Sequence, residues 1–89
     1  MKKIIINEAI GSKDQLHVIL KEKLKLPDYY GGNLDALWDC ITGDIDLPIT
    51  LEWKGFSQVR EILGDYGDEL LDLLQSAEKE GTGFKLEID

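Results

Sequence analysis

The sequence predicts a small α/β domain in which a three-stranded parallel sheet packs with about four helices. Three short segments, residues 3–7, 49–53 and 84–88, carry the β-branched or alternating apolar patterns of strands. Long stretches with apolar residues at helical spacing separate them, and such connections join parallel strands through right-handed crossovers. We therefore expect the order β-α-α-β-α-α-β in a single sheet layer, with residues 1–89 forming one domain.

The three strand patterns predict different positions in the sheet. Residues 3–7, KIIIN, form a continuous β-branched run, which is typical of a strand buried on both faces at the centre of a parallel sheet. Residues 49–53 and 84–88 instead alternate apolar with polar side chains. Alternation predicts flanking strands with one wetter face, so we expect the first strand to be the central one.

The first two helices have recognisable starts and ends. Ser12 with Gln15 forms a capping-box pattern, and Pro27 ends the helix that follows. Asn33 is the predicted N-cap of the second helix, which ends at Gly43. Apolar residues at helical spacing predict the buried faces of these helices: Leu16, Ile19, Leu20, Leu24, Leu34, Leu37, Trp38 and Ile41.

Two further helices follow the second strand. Ser57 is expected to cap a short third helix that ends at Gly64, and a fourth helix ends at Gly81. Their apolar residues are Val59, Ile62, Leu63, Leu70, Leu71, Leu73, Leu74 and Ala77.

The charge distribution is uneven and bounds the choice of partners. The chain has a net charge of −8, and residues 26–53 carry six acidic side chains and no basic one. An acidic surface repels nucleic acid and anionic membranes, whereas a basic protein partner is compatible with it. No apolar run approaches the ~18 residues of a membrane span, and the single cysteine favours a reducing compartment. We therefore expect a cytoplasmic protein.

Asp35 and Asp39 lie four residues apart, so both occupy one face of the second helix. A solvated helix face is one interpretation, and a binding surface for a basic partner is another. A glycosidase pair needs two carboxyls that flank a sugar bond in a cleft, which one convex helix does not provide. Asp28, Asp44 and Asp46 add oxygens nearby, but no loop shaped for a calcium site accompanies them. We expect no metal and no cofactor.

Tyr29 and Tyr30 precede Gly31 and the next glycine in the loop before the second helix. Loop packing is a sufficient explanation for one of the two rings. Two tyrosines beside unpaired acids, on a loop that glycines bring close to a partner, have the composition of a binding hot spot.

His17 and Cys40 are the remaining candidates for chemistry. They lie far apart in sequence, and nothing pairs them as nucleophile and base. We expect His17 on a helix surface and Cys40 in the core, and we expect no enzymatic activity.

The segment LPDYYGGNLDALWDCITG closely resembles the helix-loop-helix signature of the barstar family, intracellular inhibitors of secreted barnase-type ribonucleases. KKIIIN, LEWKGF and AEKEG resemble further segments of that family, in the same order. The resemblance covers essentially the whole chain. It implies an α/β fold and an inhibitor that inserts its second helix and the preceding loop into the guanine and phosphate site of a ribonuclease.

The resemblance also implies roles for individual residues. Asp39 stands in for the substrate phosphate against catalytic arginines and a histidine. Asp35 pairs with another basic group of the active site, and Tyr29 packs on the catalytic histidine. The residues implied to complete the surface are Gly31, Asn33, Leu34, Trp38 and Thr42.

The chain departs from the family pattern at three positions. Asp44 replaces an aromatic residue, which removes a rim contact and adds charge. Ser76 replaces an acid, so that one salt link from the fourth helix is missing unless Asp72 or Glu80 substitutes. Thr82 replaces a second cysteine. Asp44, Ser76 and Glu80 complete the predicted partner surface, and the departures predict a target with a shifted basic surface.

The predicted partner is thus a basic secreted, barnase-like ribonuclease, bound one to one by a chain that is monomeric when free. Two alternatives remain open at the level of sequence. One is an immunity protein of the same fold directed against a different nuclease toxin. The other is an enzyme or metal protein that uses the pair of Asp35 and Asp39.

Overall fold

The structure is a computed structural model that describes residues 2–43, 45, 47–81 and 83–88. It confirms the predicted fold class: three parallel strands form one sheet with four helices, in the order β-α-α-β-α-α-β. The elements are β1 (Lys2–Ile6), α1 (Lys13–Leu24), α2 (Leu34–Gly43), β2 (Ile49–Trp53), α3 (Phe56–Leu63), α4 (Asp65–Lys79) and β3 (Phe84–Ile88).

The strand order is β1-β2-β3, so the expectation that the first strand is central was wrong. β2 lies in the middle, with Leu51 opposite Ile4 of β1 on one side and Leu86 of β3 on the other. One face of the sheet enters the core, whereas the other is open at its edges, where Ile5 is 43% exposed. A β-branched run favours a strand at any position, which is why it predicted the strand correctly and its place wrongly.

The open face of the sheet carries a row of paired charges. Lys3 Nζ lies 2.8 Å from Glu52 Oε1 and 3.5 Å from Glu87 Oε1, and so links all three strands. The hydrogen bond and charge of Glu52 raise the pKa of Lys3, and the same hydrogen bond lowers the pKa of Glu52. Lys3 is therefore committed to carboxylates of the sheet.

The ends of α1 follow the predicted signals with local differences. Ser12 Oγ accepts a hydrogen bond from Gln15 N at 3.1 Å, which confirms the N-cap. The Gln15 side chain bonds Gly11 N at 2.8 Å, one residue before the cap position of a standard capping box. The helix ends before Pro27, because Lys25 adopts a left-handed conformation with φ of 54°.

The third helix begins earlier than expected. Gly55, with φ of 74°, precedes Phe56, so Ser57 lies inside α3 and is not its cap. Gly64 ends α3 as predicted, and α4 starts at the next residue. Of the apolar residues named for this helix, Val59 is buried, whereas Ile62 is 59% exposed.

A single core lies between the sheet and the helices. Trp53 and Phe56 stack edge to face at 5.0 Å in this core, and Cys40 is buried as predicted. Trp38 was also expected in the core but is only half-buried. Among the described residues, no helix combines the length and apolar character needed to cross a membrane.

Candidate partner-binding surface

The start of α2 is held by its own N-cap. Asn33 Oδ1 accepts a hydrogen bond from Ala36 N at 2.8 Å, which confirms the predicted cap. Asp35 and Asp39 of this helix are exposed. The buried face consists of Leu37, Cys40 and Ile41.

An open groove of about 450 Å³ separates the exposed side of α2 from α4. Half-buried apolar side chains lie within its lining, and carboxylates accompany them on both helices. Within the described part of the chain, four acidic residues and no basic residue line this groove. The lining consists of Leu34, Asp35, Trp38, Asp39, Glu69, Asp72, Leu73 and Ser76. We call it the acidic groove.

The contribution of α4 could be predicted only in part. Ser76 and, as a substitute, Asp72 were considered from the sequence, whereas Glu69 was missed. Their spacing places all three on one helical face, so the local signal was present. What spacing cannot show is that α4 packs beside α2.

The two tyrosines of the preceding loop have different environments. Tyr29 is 76% exposed beside exposed Gly31. Tyr30 is half-buried, and its hydroxyl lies 2.5 Å from His17 Nδ1. Tyr30 thus has the internal packing role that was allowed for one of the two rings, and its contact with a partner stays a prediction.

The remaining residues of the predicted partner surface are Thr42, Ser76, Glu80 and Asp44. The Thr42 hydroxyl donates to the Trp38 carbonyl oxygen at 2.7 Å and is half-buried. Ser76 lines the acidic groove, whereas Glu80 is the exposed residue after α4 and lies outside the groove lining. Asp44 lies outside the described residues.

The expectation that His17 lies on a helix surface was wrong. Its side chain is buried, with 6% exposed, between Tyr30 and Tyr66, and Nε2 lies 2.6 Å from the Tyr66 hydroxyl. Burial lowers the pKa of His17, and the charge of Asp14 opposes this effect. Burial also raises the pKa of both tyrosine hydroxyls. The sequence contained a signal for the burial of His17: it lies one helical turn before Leu20, on the buried face of α1.

Neither a metal centre nor a nucleophilic site emerges from the part of the chain that is described. No group of three or more histidine, cysteine or acidic side chains converges there in a way that could hold a metal ion. Cys40 is buried on α2, and both nitrogens of His17 are occupied by tyrosine hydroxyls.

Comparison with known proteins gives a consistent result. The family model described as "Barstar (barnase inhibitor)" matches residues 1–89. A protein of Bacillus subtilis (strain 168), named "Putative ribonuclease inhibitor YrdF", is 51% identical over 91 aligned positions that cover 100% of both chains. The resemblance seen in the helix-loop-helix segment therefore extends over the whole sequence, and the chain belongs to the Barstar family.

Proposed function

We propose that the protein is a cytoplasmic inhibitor of a guanyl-type ribonuclease and is not itself an enzyme. In this proposal, a monomer of the protein binds one basic secreted enzyme and protects the cell that makes both. Family membership and the name of the Bacillus relative support a ribonuclease as the target. The observation that carries the proposal is the acidic groove, where α2 and α4 present four carboxylates with no basic side chain among the described lining residues.

The electrostatic argument starts from the target. A ribonuclease active site is basic because it must hold the phosphates of its substrate. An inhibitor can occupy that site with carboxylates that have no cation of their own, since each enzyme cation then keeps a counter-charge when water leaves. Asp39 takes the place of the phosphate, and Asp35, one turn earlier, meets a second basic group.

The loop before α2 supplies the apolar part of the contact. Tyr29 is the most exposed aromatic ring among the described residues and stands at the entry to α2. A tyrosine ring provides a large contact area at a low cost in side-chain entropy, and it stacks well on an imidazole. We therefore assign Tyr29 to the catalytic histidine of the enzyme.

Asp72 is the acid that replaces the missing charge at Ser76. The two residues are one turn apart on α4, and both line the acidic groove. Glu80, the other possible substitute, lies beyond the helix and outside the groove lining. A basic side chain of the enzyme that enters the groove beside Asp35 thus meets a carboxylate from each helix.

Inhibition of a purified barnase-type ribonuclease tests the proposal. RNA cleavage should fall linearly with added protein and stop at one equivalent, whereas a pancreatic-type ribonuclease serves as a control and should stay active. Asp72→Asn should weaken inhibition more than Glu80→Gln. Undiminished cleavage in the presence of a large excess of the protein would refute the proposal for that class of enzyme.

A second candidate is an immunity protein of the same fold against a different nuclease toxin, whereas the departures at Asp44 and Ser76 fit a relative of barnase with a shifted basic surface. Capture of basic proteins from the secreted fraction of the source organism distinguishes the two candidates. A captured ribonuclease of the barnase type supports the first candidate, and a captured nuclease of another class supports the second.

A further inference from the structure

We propose that His17 is a positioning residue for partner binding. It holds the loop that carries Tyr29 through its bond to Tyr30, while its other ring nitrogen bonds Tyr66 of α4. This inference rests on the proposed function, because the buried His17 side chain is assigned the role of positioning Tyr29, which contacts the ribonuclease only if that function is correct.

The hydrogen-bonding capacity of the imidazole matches its surroundings. A neutral histidine has one N–H donor and one bare nitrogen acceptor, and a tyrosine hydroxyl can both donate and accept. Nδ1 lies 2.5 Å from the Tyr30 hydroxyl and Nε2 lies 2.6 Å from the Tyr66 hydroxyl. One tyrosine donates to the ring and the other accepts from it, so neither buried nitrogen lacks a partner.

The loop rests on this imidazole. Tyr30 N donates to the Pro27 carbonyl oxygen at 3.0 Å, which closes a turn just before the glycines. Gly32 has φ of 68°, and a Cβ built on it would lie 4.0 Å from His17 Cβ, so the backbone passes directly over the histidine. The loop therefore has a buried polar anchor directly next to exposed Tyr29.

The other end of the link is on α4, the helix that forms one wall of the acidic groove. Tyr66 is in the first turn of α4, and Lys13 Nζ lies 4.6 Å from the centre of its ring. Glu69, one turn further along α4, lines the groove. His17 thus contacts both the loop before α2 and the start of α4, and we assign its hold on the loop to the bond with Tyr30.

Two amide variants separate positioning from simple packing. Asparagine places its amide near the position of Nδ1 and can keep the bond to Tyr30, whereas glutamine places its amide near Nε2 and can keep the bond to Tyr66. We expect His17→Gln to weaken ribonuclease binding about tenfold or more, and His17→Asn to stay within about threefold of the original chain. Affinities are compared under conditions in which circular dichroism shows both variants folded.

A measurement on the free protein makes the test independent of the partner. NMR order parameters of the Gly31 and Gly32 amides report the rigidity of the loop. They should fall in His17→Gln and stay near the original values in His17→Asn. If the original chain inhibits no ribonuclease, the proposed function fails, but the order parameters still decide whether His17 holds the loop.

The outcomes are clearly divided. Lower affinity and lower loop order in His17→Gln, with both retained in His17→Asn, support the proposal. Equal behaviour of the two variants, or a loss of folding stability with unchanged affinity, overturns it. If one of these variants does not fold, Tyr30→Phe removes only the hydroxyl that bonds His17 and should loosen the loop and weaken binding, whereas unchanged loop order and affinity in Tyr30→Phe overturn the proposal.

Discussion

Asp35 and Asp39 lie one helical turn apart on the exposed side of α2, and the ion pairs found among the described residues involve neither carboxylate. Some cations elsewhere have acidic partners of their own: Lys3 in the sheet, and Arg60 with Asp68 of α4. Like charges at this spacing destabilise a helix by about 0.2–0.5 kcal/mol. The pair therefore costs the free protein stability and stays available to a basic partner.

Asp39→Asn should separate stability from function. We expect the free energy of unfolding to stay the same or rise by roughly 0.2–0.5 kcal/mol, because the substitution removes one member of a repelling pair. The helix dipole stabilises an acid only in the first turn, and Asp39 lies beyond that turn, so no favourable dipole interaction is lost. Ribonuclease binding should weaken by about 2 kcal/mol or more, since a desolvated cation of the enzyme loses its counter-charge. Denaturant unfolding and ribonuclease inhibition measure the two effects.

Asp68→Asn is the matched control, because the same substitution there removes an exposed ion pair with Arg60 outside the acidic groove. It should lower the free energy of unfolding by at most about 1 kcal/mol and leave inhibition unchanged. A clear loss of stability in Asp39→Asn would instead reveal a structural partner for that carboxylate.

Tyr29 should contribute through its ring and not through its hydroxyl. Because 76% of the side chain is exposed in the free protein, the ring has a large area to bury against an enzyme. We expect Tyr29→Ala to weaken the complex by more than 1 kcal/mol and Tyr29→Phe to have a much smaller effect. Equilibrium binding measurements give both values, and equal losses in the two variants would assign the contact to the hydroxyl.

Association with the ribonuclease should be fast and sensitive to salt. Residues 26–53 carry six acids and no base, and such a one-sided field raises association rates by roughly 10–10³ towards a cationic cleft. Screening limits this field to about 8 Å at physiological ionic strength. Stopped-flow rate constants should fall steeply as NaCl is added, while the dissociation rate changes little. Association rates that do not change between low and high salt would contradict steering.

Local signals predicted the candidate site better than its surroundings. The Asn33 cap and the exposed face with Asp35 and Asp39 follow from spacing within one helix, and each was confirmed. The pairing of α2 with α4 depends on tertiary packing, so the position of Glu69 in the groove did not follow from any short segment.

The same distinction explains the two main errors. The isoleucine run of β1 predicts a strand, but which strand is central depends on the hydrogen-bonding partners that β2 finds on both sides. The burial of His17 had a local signal in its helical spacing with Leu20, which we overlooked, whereas its partner Tyr66 is 49 residues away in sequence. Contacts at that separation carry no signal in a single sequence.

Gly67 tests how tightly α3 and α4 pack against each other. A Cβ at Gly67 would lie 2.7 Å from Arg60 Cα and 2.8 Å from its carbonyl oxygen, so backbone atoms would have to move. Overpacking typically costs about 1–3 kcal/mol, and alanine recovers up to ~1 kcal/mol of helix propensity. We expect Gly67→Ala to lower the free energy of unfolding in denaturant. Gly43→Ala, where a Cβ meets nothing within 4 Å, is the control and should be neutral or stabilising.

The stability of the protein should depend on pH through His17. Its pKa in the folded state is lowered by burial, while the unfolded chain has the ordinary value of about 6.5. Between these two values the unfolded chain binds a proton that the folded chain does not, so the free energy of unfolding rises with pH. The contribution is fully present above about pH 6.5 and is lost as the pH falls towards the folded-state pKa, with a slope of at most about 1.4 kcal/mol per pH unit.

The charges around His17 come from several elements and act in both directions. Asp14, one turn earlier on α1, favours the protonated ring, whereas Lys13 against the Tyr66 ring brings a positive charge to the same side. Glu69 of α4 acts on the Tyr66 hydroxyl, which bonds the imidazole directly. Because burial outweighs the charge of Asp14, the net direction is towards the neutral imidazole.

His17→Gln isolates this effect, because the carboxylates titrate alike in both proteins and cancel in the difference. We expect the original chain to be more stable than the variant at pH 7.5, and this advantage to stay nearly constant down to about pH 6.5 and to shrink from there towards pH 5. Urea unfolding at half-unit intervals of pH measures the difference in free energy directly. A difference that stays constant over that range would mean that the pKa of His17 is the same in the folded and unfolded states, and the coupling between burial and protonation would have to be abandoned.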